Sequence, residues 1–216
     1  MAAMPPLMAV VDYGAGNLRS VAKALERSGL VPEVTGDPAA VLRADGVVLP
    51  GVGAFADAAA SLAAKGLDEA VGESIRRGRP YLGLCLGLQL LFESSDEHEL
   101  TPGFAVLPGQ VGRFPERDAA GAPLRVPHIG WNQVRWSGDH PVLRGLAESD
   151  CYYFVHSYRA VPARDEDNVG RVDYGGAFAA AVARDNVFAV QFHPEKSQGA
   201  GRRLLDAFAR WVAACG

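Results

Sequence analysis

The chain of 216 residues is 49% hydrophobic and 21% charged, with a formal net charge of −4. That length and apolar content suit one large domain, or at most two small ones, around a sizeable core. Continuous apolar runs exclude general disorder, and an acidic balance argues against a broad basic face for nucleic acid or an anionic membrane. In chain order, LMAVVDY at 7–13 reads as a buried strand. Leu18, Val21, Ala22 and Leu25 follow at i, i+3, i+4 and i+7, a helical stripe that stops near Gly29. VPEVT at 31–35 and GVVLP at 46–50 read as strands, 54–64 and 67–77 as alanine-rich helices ending near Gly78, and PYLGL at 80–84 as a fourth strand. A helix is expected from Leu86 to about Glu93. Strands alternating with helices imply a parallel sheet with helices on its faces.

The second half changes character. Segments 104–114, 124–136, 152–160, 168–174, 177–184 and 187–193 read as strands, separated by turn clusters such as GDHP and ARDEDN. A last helix spans about 199–213, with Leu204, Leu205, Phe208, Trp211 and Val212 on one face. The expected fold is therefore α/β: one domain over 1–216, an open, mostly parallel sheet flanked by helices, with an antiparallel extension. Cys85, Cys151 and Cys215 form neither a disulfide framework nor a CxxC zinc motif. The first residues lack the basic start of a signal peptide, and no apolar run approaches the length of a membrane span. A soluble protein of a reducing cytoplasm is expected.

One segment carries the clearest chemical pattern. Gly83-Leu84-Cys85-Leu86-Gly87 has the form G-x-C-x-G between an apolar strand and an apolar helix. This is a nucleophile elbow with cysteine in place of serine. Its glycines are expected to permit the tight turn, and the helix starting behind the sulfur to favour thiolate. On this segment alone, a buried structural cysteine is the competing reading. Cys151 and Cys215 have no such turn and read as structural or incidental.

VFAVQFHPEKS at 187–197 alternates in period two, with Ala189, Gln191 and His193 on one side. Pro194 biases His193 towards an extended conformation, in which His193 and Glu195 project together. A carboxylate beside an imidazole can fix its tautomer and stabilise the imidazolium. An exposed His-Pro-Glu turn is the alternative. A cysteine on an elbow needs a base, however, and H-x-E at a strand end supplies one with its orienting group. VVLPGVGAF at 47–55 also follows a strand; its Gly51-Val52-Gly53 either turns a backbone N–H towards a developing oxyanion or makes an ordinary βα turn. GAGNLRS at 14–20 lacks the third glycine of a nucleotide loop.

PGVGAF at 50–55, LCLGLQLLFE at 84–93 and FHPEKS at 192–197 together resemble the class I (triad) glutamine amidotransferases, and they spread across nearly the whole chain. Within that family, DYGAGNLRS at 12–20, PHIGWNQV at 127–134, YYFVHSYR at 152–159 and HPEKS at 193–197 are most similar to the glutaminase subunits of imidazole glycerol phosphate synthases. The resemblance implies a flavodoxin-like sheet and glutamine as substrate, with no metal or cofactor. Cys85 would attack the amide, His193 would move the proton and Glu195 would orient His193. Val52, Gly53 and Leu86 would supply the oxyanion site. Gly51, Gln89, Glu97, His156, Ser157 and Tyr158 would bind glutamine. Ammonia would pass to a separate (β/α)8-barrel cyclase subunit, contacted through Asn17, Trp131, Asn132, Tyr153 and Lys196. Core packing for Trp131 and Tyr153, and a solvated charge for Lys196, are the plainer alternatives. From the residues alone, a cysteine peptidase or esterase, or a binding subunit on the same fold, competes with this reading.

Overall fold

A computed structural model describes residues 4–215. The elements run β1 (Leu7–Val11), α1 (Leu18–Arg27), β2 (Val31–Thr35), α2 (Pro38–Arg43), β3 (Gly46–Gly51), α3 (Phe55–Ala64), α4 (Leu67–Arg76), β4 (Tyr81–Cys85) and α5 (Leu86–Gln89). Then follow β5 (Phe92–Ser95), β6 (Thr101–Pro102), β7 (Leu107–Arg113), β8 (His128–Gln133), β9 (Arg135–Trp136), β10 (Cys151–His156) and β11 (Tyr158–Pro162). The chain closes with β12 (Asn168–Asp173), β13 (Ala177–Arg184), β14 (Val187–Val190) and α6 (Gln198–Cys215). Among the described residues no helix is long and apolar enough to cross a membrane.

β2, β1, β3, β4 and β14 lie side by side and parallel. β13 then pairs antiparallel with β14 and begins the extension through β11, β7, β5 and β6. Alternation within the parallel strands fills two cores. Met8 and Val10 face Val21, Leu25, Leu204 and Phe208 of α1 and α6. Ala9 and Val11 face Val41, Leu62, Leu67 and Val71 of α2, α3 and α4. Strands covered on both faces must be apolar throughout, which is why β3 and β4 are buried at every residue. β8 and β10 form a separate two-stranded sheet.

Three expectations from the sequence change. The helix after Cys85 ends at Gln89 rather than Glu93. The carbonyls of Leu90, Leu91 and Phe92 accept instead from the amides of residues 104–107, and Phe92–Ser95 becomes a strand. The single strand expected at 152–160 is two strands in two sheets, and the chain crosses between them at Ser157. Helix α2 was not anticipated, although Asp37-Pro38 is its start signal: the Asp37 carboxylate accepts from Ala39 N at 2.9 Å, and Pro38 fills the first turn.

Candidate active site

The carboxyl ends of β3, β4 and β14 meet at one edge of the sheet, where open α/β folds place their chemistry. Gly51 pairs with Cys85 in register there. Cys85 has φ 54° and ψ −104°, a conformation sparsely populated for a non-glycine residue. The turn is therefore carried by the cysteine itself. Its flanking glycines answer a different need, close packing: a Cβ on Gly87 would stand 1.9 Å from Leu49 O, and one on Gly83 2.6 Å from Gly87 O. The sequence reading had assigned these glycines to the turn.

His193 is reached by a bend after β14, and Pro194–Lys196 makes one 3-10 turn. The strand expected to 193 thus stops at Val190, and a turn rather than an extended run brings Glu195 back to the ring. His193 Nδ1 lies 2.9 Å from Glu195 Oε1, and both side chains are buried. Neither His193 Nε2 nor Glu195 Oε2 has a hydrogen-bond partner. Burial alone would lower the histidine pKa. The Cys85 side chain and the Glu195 carboxylate outweigh it and raise the value to about 9. A ring that holds its proton between a thiol and a carboxylate suits proton transfer at the sulfur.

Cys85 and His193 open onto a cavity of about 380 Å³ lined by Val52, Gly53, Leu86, Gln89, Glu97, His156, Ser157 and Tyr158, together with Pro127 and Val155. Of the residues expected at the glutamine and oxyanion sites, only Gly51 lies outside it. Gly51 lines a smaller space of about 20 Å³ behind the histidine, with Asn17, Glu195 and Lys196. A side chain at Gly51 would press on Leu86 Cβ and Tyr13 Oη, each 2.7 Å from its Cβ. Glu97 turns one carboxylate oxygen to Phe55 N at 2.7 Å, which ties the cavity wall to the start of α3. Gln89 spends both amide hydrogens within the protein, on Tyr158 O and Gln191 Oε1, each at 3.1 Å. Its Oε1 acceptor is what it has left to offer a ligand.

None of the expected interface residues lines the Cys85 cavity; Asn17 and Lys196 border the smaller space, and Asn132 lies on β8 beside Trp131. Trp131 and Tyr153 are cross-strand neighbours with ring centroids 5.8 Å apart, and Lys196 Nζ lies 5.9 Å over the Tyr153 ring. Trp131 is 48% exposed, so core packing does not account for it. Ile129, exposed on the same strand face, extends this surface.

Two side chains at this site were missed from the sequence. Gln191 is fully buried and sets its amide 3.5 Å from Cys85 Sγ. Its signal was present: a polar residue two before His193 in an apolar strand. Ser197 donates to His193 O at 2.6 Å and accepts from Tyr153 N at 3.0 Å, while His193 N donates to Tyr153 O at 2.9 Å. The loop of the histidine is thereby stitched to the β8–β10 hairpin. No pattern in the sequence announced that contact.

A cysteine elbow facing a His–Glu pair at the carboxyl edge of an open α/β sheet is the arrangement of triad enzymes that act on carbonyl substrates. The chain belongs to the class-I glutamine amidotransferase family, whose profile matches residues 9–210. It is 49% identical over 209 residues to the imidazole glycerol phosphate synthase subunit HisH of Moorella thermoacetica, an alignment covering 97% of each chain. It is 50% identical to the subunit of the same name from Methylococcus capsulatus, over 94% of this chain and 96% of the other. PurLQS from Thermotoga maritima shares its fold with a TM-score of 0.70 at 20% identity, over 97% of this chain and 100% of that one. The glutaminase domain of Trypanosoma brucei CTPS does so with a TM-score of 0.64 at 19% identity, over 97% of this chain and 94% of that one.

Proposed function

We propose that this chain is the glutaminase subunit of an imidazole glycerol phosphate synthase and that it passes ammonia to a separate (β/α)8-barrel cyclase. Identity of 49–50% to HisH subunits over nearly the full length supports this assignment. The chemistry rests on a single observation: the elbow cysteine, the histidine of the buried His–Glu pair and the His156–Tyr158 segment line one cavity.

In this reading Cys85 passes its thiol proton to His193 and its sulfur attacks the side-chain amide carbon of glutamine. The resulting oxyanion is held by backbone N–H groups at Val52, Gly53 and Leu86. His193, protonated, delivers its proton to the amide nitrogen, the C–N bond breaks, and ammonia leaves a thioester on Cys85. Water then gives a proton back to His193 and its oxygen to the acyl carbon, which releases glutamate and the thiolate. Glu195 holds the imidazolium throughout. Gln89 and Glu97 accept from the substrate, and the backbone of His156, Ser157 and Tyr158 receives its carboxylate. Asn17, Trp131, Asn132, Tyr153 and Lys196 face the cyclase, and the ammonia leaves on that side.

The whole chain, 1–216, acts as one amidotransferase domain. Glycines on either side of Val52 let the oxyanion peptide rotate at low steric cost. One absent oxyanion donor costs roughly 10²–10³ in rate, so partner binding can govern turnover. The test is glutamate release by the chain alone, with the cyclase, and with cyclase plus its nucleotide ligand. The expected result is activation of about a hundredfold or more in the last case. Equal turnover in all three would refute the control by the partner, and no turnover in any would refute the glutaminase.

A further inference from the structure

His156 in the cavity wall pairs with His128, and the proposed chemistry uses neither imidazole ring. His128 and His156 are 2% and 6% exposed. The His128 ring stacks on Tyr174 at 3.9 Å and on Phe154 at 4.9 Å, and Phe114 lies 5.1 Å from His156. Burial pushes His128 down to about 4 and His156 to about 3, the latter against the raising effect of the Tyr158 carbonyl. Both rings are therefore neutral at physiological pH, and each has one N–H and one lone pair.

The hydrogen bonds then have only one consistent direction. Tyr158 O can only accept, so His156 Nδ1, 2.8 Å away, carries the hydrogen. His156 Nε2 is left with a lone pair and accepts from His128 Nδ1 at 3.0 Å. His128 Nε2 in turn accepts from the Asn132 amide at 3.1 Å. Reversing any link would set lone pair against lone pair, or hydrogen against hydrogen. The same Tyr158 oxygen accepts from Gln89, whose amide reaches Gln191, whose amide reaches Cys85 Sγ. One connected network thus runs from Asn132, on the strand that carries Trp131, to the nucleophile, with two arms that both donate into Tyr158 O.

We propose that His128 is a positioning residue: it donates to the Nε2 lone pair that the Nδ1–H tautomer of His156 leaves, fixes that ring in place, and so holds the backbone at His156–Tyr158 in the shape that receives glutamine. This rests on the reading that the 156–158 segment binds the substrate carboxylate. The hairpin and the substrate cradle then form one hydrogen-bonded unit.

The experiment is 15N NMR of histidine-labelled chain, together with steady-state glutaminase kinetics of the complex with the cyclase. In the unaltered protein both His128 and His156 should be pure Nδ1–H tautomers. In His128→Leu, which cannot donate, the bond to Tyr158 O keeps the hydrogen on His156 Nδ1, but His156 Nε2 loses its donor and its 15N signal should move downfield. KM for glutamine should rise about tenfold while kcat stays within about twofold, the size of one lost buried hydrogen bond. His128→Asn sets an amide N–H where Nδ1–H stood and should restore both. An Nε2–H tautomer in the unaltered protein, or a folded His128→Leu with unchanged His156 signals and unchanged KM, would overturn the proposal. If His128→Leu does not fold, the unaltered spectrum and His128→Asn still decide. Absence of glutamine turnover in the unaltered complex would sink the glutaminase reading instead, and the spectra would judge the histidine chain separately.

Discussion

The two halves of the cavity are built by opposite means. The nucleophile side is a tightly packed parallel sheet: Gly83 and Gly87 press against backbone atoms, and neither has room for a methyl group. The opposite wall comes from the β8–β10 hairpin and the crossing at Ser157, outside the main sheet. That strand pair is anchored by the buried rings of Tyr152 and Phe154, which pack on Phe192 and Phe178, and by polar stitches, Ser197 and the His128–His156 pair among them. The contrast teaches a division of labour. Rigid backbone fixes the sulfur, and a hydrogen-bonded arm fixes what the sulfur acts on.

The sharpest way to break this division is at the sulfur. Cys85→Ala should lower glutamine hydrolysis by about 10⁴-fold or more while the chain stays folded and keeps binding the cyclase. Cys151→Ser and Cys215→Ser, at exposed positions, should leave activity near normal. A glutaminase that survives Cys85→Ala ends the assignment.

Next in size is Glu195→Gln. The His193 pKa is raised to about 9 from its ordinary 6.5, so the folded state favours the protonated ring. The associated stability is fully present below about pH 6.5 and is lost as pH rises through about 9. Turnover that needs the imidazolium as acid should fall on the same alkaline limb. Glu195→Gln removes one of the raising causes, so the limb should move to lower pH and kcat should drop about a hundredfold or more. A pH–rate profile of both proteins checks this; an unmoved limb would show that Glu195 does not set the titration.

Paired glycine substitutions compare the halves directly. Gly87→Ala would force a Cβ to within 1.9 Å of Leu49 O and should cost about 3 kcal/mol or more. That corresponds to a Tm lower by roughly 10 °C for a chain of this size. Gly130→Ala on the hairpin meets no atom within 4 Å but keeps φ +146°, and should cost only about 1 kcal/mol. Thermal melts that rank the two the other way would reverse the comparison.

The smallest effect expected is from Ser197→Ala, which cuts a stitch without touching substrate. A loss of about tenfold in kcat/KM is predicted, because His193 O and Tyr153 N lose a buried partner. Unchanged kinetics would show that the hairpin holds the histidine by other means.

The parallel half was legible in the sequence because its signals are local. Apolar runs, the G-x-C-x-G turn and the His-Pro-Glu segment each announce themselves within a few residues. The helix expected beyond Gln89 was misread because Leu90, Leu91 and Phe92 are apolar in either structure, and only the distant 104–107 segment decides between them. The split at Ser157 has the same cause: β10 and β11 share one pattern, and their different partners lie far along the chain. Ser197 and His128 were silent for another reason. Their roles depend on atoms that meet only after both sheets have formed.

The strand that leads to His193 is the last in the chain, yet β14 lies inside the sheet between β4 and β13. Synthesis runs from the N-terminus, so the elbow and the oxyanion segment emerge long before their base. Until β14 arrives, the edges of β4 and β13 that it pairs with are open, and closing them demands contacts of large sequence separation, a slow step in folding. Activity is thereby tied to completion of the polypeptide. A product cut short before residue 187 carries the cysteine and no means to use it, so an unfinished chain spills no ammonia.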